Sequence, residues 1–234
     1  MQSSTYLQRR EQLTHYFDRT AADAWKRLTS TEEVGRVRAT VRAGREEIRN
    51  TLLDWLPADL NGARVLDAGC GTGVLSVEVA RRGGRVVAVD VAPSLLEVAE
   101  DRALSAGVRD KIEFVAGDML DPDFGRFSHV IAMDSLIHYR RDDIVAAVCN
   151  FTDRSRGKVL ITFAPLTPAL GAMHAVGRLI PKLSHRAPDI APVSEKRLVR
   201  SLSEALSESN WRPGRTRRVS TGFYTSQALE VTAR

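Results

Sequence analysis

The stretch Arg64-Val65-Leu66-Asp67-Ala68-Gly69-Cys70-Gly71-Thr72-Gly73 constrains the fold of this chain more than any other. A short apolar run enters a turn with glycines at 69, 71 and 73, and an apolar-periodic segment leaves it at Val74, which predicts strand, tight turn and helix in succession. Glycines let the main chain turn sharply and leave no Cβ where a ligand must lie against it, while the helix behind presents free N–H groups. This is the pattern of a nucleotide-type pocket. The dinucleotide fingerprint G-x-G-x-x-G is not met, because Ser76 stands where its third glycine belongs, and a nicotinamide cofactor is therefore disfavoured.

Beyond residue 62 the pattern alternates. Strands are expected over 63–70, 85–91, 111–117, 127–133 and 158–164, with helices over 74–82, 94–106 and 142–152. Strands that are apolar nearly throughout, in βα alternation, imply a parallel sheet covered by helices on both faces, a Rossmann-like α/β architecture whose ligands gather at the carboxyl ends of the strands. A helix over 194–210, with Leu198, Leu202 and Leu206 on one side, precedes a strand pair over 211–222 and 223–231, which completes a mostly parallel seven-stranded sheet. Between these parts, residues 165–193 carry prolines at 165, 168, 181, 188 and 192 around the helical piece Leu170, Met173, Val176, Ile180, and read as a lid over the catalytic face.

The N-terminal region reads as two helices. Leu13, Phe17, Ala21, Ala24 and Leu28 form the apolar line of one over 3–29, and Val34, Val37, Val41, Ile48, Leu52 and Trp55 that of a second, capped at Ser30 or Thr31 and ended by Pro57. Arg38, Arg42, Arg45 and Arg49 share one face of the second helix, either as a solvated stripe or as a source of an arginine for cofactor or substrate carboxylates. The expected organisation is one domain, with a helical cap at 1–57, a cofactor-binding core at 62–164, the lid at 165–193 and the C-terminal helix and strand pair at 194–234.

Composition narrows the partners. A net charge of +5 and a pI near 9.5 come mostly from arginine, with only five lysines, which fits an anionic partner or an arginine-rich solvated surface. The basic residues are scattered rather than interleaved with aromatics, which disfavours nucleic acid. No apolar run approaches the roughly 20 residues that span a bilayer, and Met1 to Arg10 is polar, so the cytoplasm is the expected site, with at most peripheral membrane contact. Cys70 and Cys149 lack metal-ligand spacing and read as free thiols; no protein metal site is expected.

Three strand ends carry the polar residues of a site. Asp90 closes the second strand, about 20 residues past the glycine turn, where a carboxylate can accept both ribose hydroxyls of a nucleoside, with Val91 beside it. Asp118 and Met119 follow the third strand. Asp134-Ser135-Leu136-Ile137-His138-Tyr139 follows the fourth, and a histidine at such a strand end, in a cofactor cleft, is a candidate for catalysis.

With Asp67 two residues before its first glycine, Asp67-Ala-Gly69-Cys-Gly71-Thr-Gly73 resembles motif I of the class I S-adenosylmethionine-dependent methyltransferases. The resemblance implies that Asp67, Gly69, Gly71, Gly73, Asp90 and Val91 hold the cofactor, that Asp118 and Met119 meet its adenine, and that Asp134 faces the methyl donor. Further residues resemble the magnesium protoporphyrin IX O-methyltransferases across nearly the whole chain. They are Tyr16-Phe17 with Trp25, Val-Arg42-Ala-Gly44-Arg, Leu136-Ile137-His138-Tyr139, Thr162-Phe163-Ala164-Pro165 and Ser220-Thr221-Gly222-Phe223-Tyr224.

That family transfers a methyl group from S-adenosylmethionine to one propionate of the magnesium porphyrin, in chlorophyll and bacteriochlorophyll biosynthesis. The resemblance implies catalytic roles for His138 and Tyr16, which orient the propionate, or an axial bond from His138 to magnesium. Arg42 is assigned to the cofactor, and Tyr139, Met173, Ile180, Phe223 and Tyr224 to the substrate. Magnesium enters only within the porphyrin, and the porphyrin-binding subunit of magnesium chelatase is an implied partner. The chemistry agrees independently. A carboxylate with an ordinary pKa near 4 is already ionised at neutral pH, so alignment, which can account for roughly 7–11 kcal/mol of barrier, matters more than proton transfer. Two rivals remain at this stage. One is a class I enzyme for a quinone or a phenol, whose pKa near 10 would make His138 a general base. The other is a non-catalytic S-adenosylmethionine- or RNA-binding module.

Overall fold

A computed structural model describes residues 2–19, 36–166 and 190–234. Helix α1 spans Ser4–Arg19 and α2 spans Arg36–Trp55. The alternating part follows as β1 (Arg64–Ala68), α3 (Val74–Arg81), β2 (Arg85–Asp90), α4 (Pro93–Ser105), β3 (Ile112–Ala116), β4 (Phe127–Ala132), α5 (Arg141–Arg154) and β5 (Ser155–Phe163). Helix α6 (Glu195–Ala205) leads to β6 (Trp211–Thr221) and β7 (Tyr224–Ala233). The strands fall within a few residues of their sequence-based bounds. The continuation of the first helix past Arg19, the cap at Ser30 or Thr31, and the lid helix with Met173 and Ile180 lie outside the described residues.

The seven strands form one sheet in the order β3-β2-β1-β4-β5-β7-β6. β1 to β5 pair in parallel, and β7 runs antiparallel between β5 and β6. Side chains alternate across a strand, and here both faces are apolar because both are covered. Leu66, Val130 and Val159 point into a core with Ile144, Val148 and Phe151 of α5, Leu198 and Leu202 of α6, and Tyr6 and Leu13 of α1. Their neighbours Val65, Ile131 and Leu160 point the other way, onto Ile48 and Leu52 of α2 and Val77 and Ala80 of α3.

The chain winds outward from β1 to β3 and then crosses back to β4, so β1 and β4 are neighbours, with Asp67 in register with Ile131. The loops after these two strands therefore leave the sheet in opposite directions and open a crevice at its carboxyl edge. The two described ends of the 165–193 segment meet beside it. Pro165 bridges Val193, and the Ala191 N–H donates to the Ile137 carbonyl at 2.8 Å, beside His138. Among the described residues no helix is long and apolar enough to cross a membrane.

Candidate active site

The glycine turn forms one wall of a cleft of about 270 Å³. Gly69, Gly71 and Gly73 have φ of 80°, 54° and 72°, in the left-handed region that side chains disfavour. A Cβ at 69 would lie 2.4 Å from that of Ser135, and one at 73 would lie 2.7 Å from that of Ala99, so the turn is packed as tightly behind as it is bare in front. Asp67 is buried beneath it, and its carboxylate accepts the Ser76 hydroxyl at 2.5 Å. The residue that breaks the dinucleotide fingerprint is thus committed to the acid before the turn. Burial, helped by the charge of Asp90, pushes the Asp67 carboxyl from its ordinary 3.8 up to about 7. Asp90 ends β2 with one oxygen accepting the Gly71 N–H at 2.8 Å and the other the Ala92 N–H at 3.0 Å, and burial raises its pKa also.

Beside the glycine turn, β4 runs through Met133 into Asp134 and a 3-10 turn, Leu136–His138, which carries the buried His138 onto the cleft wall. Asp134 has φ 54°, and it is the one non-glycine residue with positive φ among those described. Four side chains hold it. Its N–H donates to Thr162 Oγ1 at 2.7 Å, and its carboxylate accepts Arg45 Nη1 at 2.8 Å, the Tyr224 hydroxyl at 3.0 Å to each oxygen, Ser226 Oγ at 3.2 Å and Thr162 Oγ1 at 3.2 Å.

Helix α1 closes the side beyond β3. The Tyr6 ring stacks on Tyr139, Phe17 meets the His138 ring edge-on at 5.9 Å between centroids, and Tyr6, Leu13 and Phe17 line the cleft. The Asp118 carboxylate accepts the Tyr6 hydroxyl at 2.7 Å, the Gln2 amide at 2.7 Å, the Leu120 N–H at 2.9 Å and an Arg10 guanidinium N–H. Burial alone would raise this acid, but those donors outweigh it and hold its pKa below the usual carboxylate range.

The third wall is cationic. Arg42, Arg45 and Arg49 of α2 all line the cleft. Arg45 is committed to Asp134. Arg49 is half-buried; burial lowers its pKa, while Glu46 and Glu78 act on it through space in the opposite sense.

Residues 132–233 match a family model described as the magnesium-protoporphyrin IX methyltransferase C-terminus, and residues 65–155 match that of a methyltransferase domain. The magnesium-protoporphyrin O-methyltransferase of Rhodobacter capsulatus is 45% identical over 228 residues, spanning 97% of this chain and 98% of that protein. The chain belongs to the magnesium-protoporphyrin O-methyltransferase family. A crystal structure of magnesium protoporphyrin IX methyltransferase from Synechocystis PCC 6803 with bound SAH is 26% identical and superposes with a TM-score of 0.83, covering 96% of this chain and 99% of that one. The ubiquinone biosynthesis O-methyltransferase of Xanthomonas euvesicatoria is 35% identical, over only 58% of this chain and 60% of its own length.

Seen as a member of this family, the chain brings Asp67, Gly69, Gly71, Asp90, Val91, Met119, Asp134, Arg42, His138 and Tyr139 to the one cleft. Gly73 stands behind the turn, and Asp118 sits against α1 rather than on the cleft wall. Tyr16 packs edge-on against Phe17, one residue away from the lining position. Phe223 is 75% exposed at the β6–β7 hairpin tip, and Tyr224 binds Asp134 from behind; neither lines the cleft. Sequence reasoning did not single out Tyr6 or Arg10, whose partner lies more than a hundred positions away. The residues fit S-adenosylmethionine. A cradle that a Cβ would fill suits a nucleoside, the acid ending β2 suits ribose hydroxyls, and a half-buried guanidinium suits a carboxylate.

Proposed function

We propose that this protein transfers a methyl group from S-adenosylmethionine to a propionate carboxylate of magnesium protoporphyrin IX, giving the monomethyl ester. The observation that carries the reading is that His138, at the end of β4, shares one cleft with the glycine turn and Asp90. Resemblance to the Rhodobacter capsulatus enzyme over 97% of the chain supports the choice of acceptor.

When bound, S-adenosylmethionine supplies an electrophilic methyl group on a sulfonium centre. The chain's part is positioning. The glycine turn and Asp90 hold the nucleoside, Met119 flanks the adenine, and Arg49 takes the methionine carboxylate. His138 donates to or orients the reacting propionate, which is ionised at neutral pH and needs no base to remove a proton. Tyr6, Phe17 and Tyr139 keep water from the cleft, which strengthens each polar contact inside it. Tyr139 and the 165–193 segment are assigned to the porphyrin face, because the ends of that segment are stitched to β5 and to the carbonyl before His138.

The magnesium porphyrin is poorly soluble, so the reading extends to its delivery by the porphyrin-binding subunit of magnesium chelatase and to peripheral contact with a membrane. Co-purification of the two proteins with and without the porphyrin, and flotation with liposomes, test those extensions. The reaction itself is tested by incubation with methyl-labelled cofactor and a panel of magnesium porphyrin, metal-free porphyrin and catechol acceptors, read by mass spectrometry. Monomethyl ester on the porphyrin is the expected product; label on the catechol alone would transfer the assignment to a phenolic acceptor.

A further inference from the structure

The left-handed backbone at Asp134 lies between the sheet and the turn that carries His138, so whatever fixes Asp134 also fixes the histidine. A carboxylate can hold an aspartate in that conformation only if its own partners are fixed, and here they come from three further elements. Arg45 belongs to α2, Thr162 to β5, and Tyr224 and Ser226 to β7. Tyr224 contributes most among the neutral donors, since its hydroxyl lies 3.0 Å from both carboxylate oxygens.

The route by which Tyr224 arrives is built into the sequence around it. The hairpin tip turns at Gly222, with φ 55°, and packs there on Thr40 of α2. A Cβ on Gly44 would lie 2.3 Å from the Tyr224 ring and 2.3 Å from Thr221 Oγ1, so the helix approaches the hairpin only because residue 44 has no side chain. One turn of helix thus provides both the space for Tyr224, at Gly44, and a cation for the same carboxylate, at Arg45. Tyr224 itself lines no part of the cleft, and burial together with the Asp134 charge pushes its phenol well above the ordinary value, so it remains a donor.

We propose that Tyr224 is a positioning residue: by bonding both oxygens of Asp134 it locks the backbone from which the Ser135–His138 turn departs, and so sets where His138 stands in the cleft. This rests on the reading of His138 given above.

The test uses Tyr224→Phe in the full chain, with three readouts: cofactor affinity by calorimetry, kcat and KM for the magnesium porphyrin, and the imidazole resonances of carbon-13 histidine-labelled protein, assigned by the signal lost in His138→Gln. The expected result is a shifted His138 resonance and a kcat lower by roughly tenfold, the factor that one hydrogen bond to a charged group is worth, with cofactor affinity retained. In an Asp134→Asn background the same change should have much less effect, because it acts through that carboxylate. A raised porphyrin KM at unchanged kcat, persisting in that background, would overturn the inference in favour of direct substrate contact. An unmoved His138 resonance would overturn it in favour of a purely structural role. A shifted resonance with unchanged kcat would support the positioning and overturn the reading of His138 instead. Should Tyr224→Phe not fold, Ser226→Ala removes a weaker donor from the same carboxylate; it should move the same resonance in the same direction by less, and no movement would overturn the inference.

Discussion

The Tyr6 hydroxyl donates to Asp118 Oδ1 at 2.7 Å while its ring stacks on Tyr139, centroids 4.9 Å apart and planes 21° from parallel. Two contacts of one side chain therefore fasten α1 to the loops after β3 and β4. Ser3 and Thr5 add a second fastening at the Asp143 carboxylate, at 2.5 and 2.8 Å. Asp118→Ala would leave the Tyr6 hydroxyl, the Gln2 amide and Arg10 without their shared acceptor. Hydrogen bonds to a charged group contribute about 1.5–3 kcal/mol each and do not add fully, so the expected loss is about 2–4 kcal/mol. Urea unfolding measures it, and amide exchange over residues 4–19 should accelerate. Unchanged exchange there would show that Asp143 and the apolar contacts hold the helix without Asp118.

Gly44→Ala sets two effects against each other. Alanine favours a helix interior over glycine by about 1 kcal/mol. Its methyl group, however, would stand 2.3 Å from both Tyr224 Cδ1 and Thr221 Oγ1, and forcing α2 off the hairpin costs about 1–3 kcal/mol. The clash should win, giving a less stable protein in thermal unfolding. A stabilised variant would mean that the hairpin gives way at no cost.

Tyr6 and Arg10 mark the limit of what the sequence discloses. The glycine turn, Asp90 and the strand ends are legible because their signal is local: an apolar run, a breaker and a polar residue at fixed spacing. The seven-stranded sheet follows from the same alternation. Tyr6 and Arg10 are not legible, since their partner Asp118 is brought to them by tertiary packing across 112 and 108 positions, and no local pattern records it. The arginine stripe is an intermediate case. Periodicity places Arg42, Arg45 and Arg49 on one face, but only the fold commits Arg45 to Asp134 and leaves Arg49 facing the cleft. Tyr16 and Phe17 show the cost of a one-residue step on a helix, which turns about 100° between them and brings Phe17 to His138 instead.

Asp90→Ala should weaken S-adenosylmethionine binding by roughly tenfold to a hundredfold, the equivalent of about 1.5–3 kcal/mol for hydrogen bonds to a charged group. The same carboxylate accepts the Gly71 and Ala92 N–H groups, so the variant should also loosen the glycine turn. Calorimetry gives the affinity and amide exchange at Gly71 the loosening. Intact affinity would move the nucleoside away from the end of β2.

Asp67 should give the stability curve a recognisable slope. Burial raises its carboxyl from 3.8 to about 7, so the folded protein binds this proton more tightly than the unfolded chain does. Its contribution is therefore full below about pH 4 and is lost as pH rises through about 7, at up to about 1.4 kcal/mol per pH unit. Asp67→Asn cannot titrate. Between pH 4 and 7 the stability difference, wild type minus variant, should fall steadily, as read from urea midpoints at closely spaced pH values. A flat difference would mean that Asp67 ionises normally in the folded protein.

His138 has two available roles, and the metal in the substrate separates them. If it orients the propionate, His138→Ala should lower turnover by about a hundredfold or more on magnesium and metal-free porphyrin alike, within the range typical of a lost positioned polar group. If it ligates magnesium, the loss should be large for the magnesium porphyrin and small for the metal-free one, whose centre holds no metal for an imidazole to ligate. Cofactor affinity should change little in either case, because the nucleoside is assigned to Asp90 and the glycine turn rather than to His138. The edge-on contact of Phe17 with the His138 ring supplies a control: Phe17→Leu keeps an apolar wall but removes that ring contact, and should lower turnover less than His138→Ala while leaving the ratio between the two porphyrins unchanged. Full activity of His138→Ala on both substrates would remove the histidine from the chemistry and leave alignment to the arginine wall and the residues of α1.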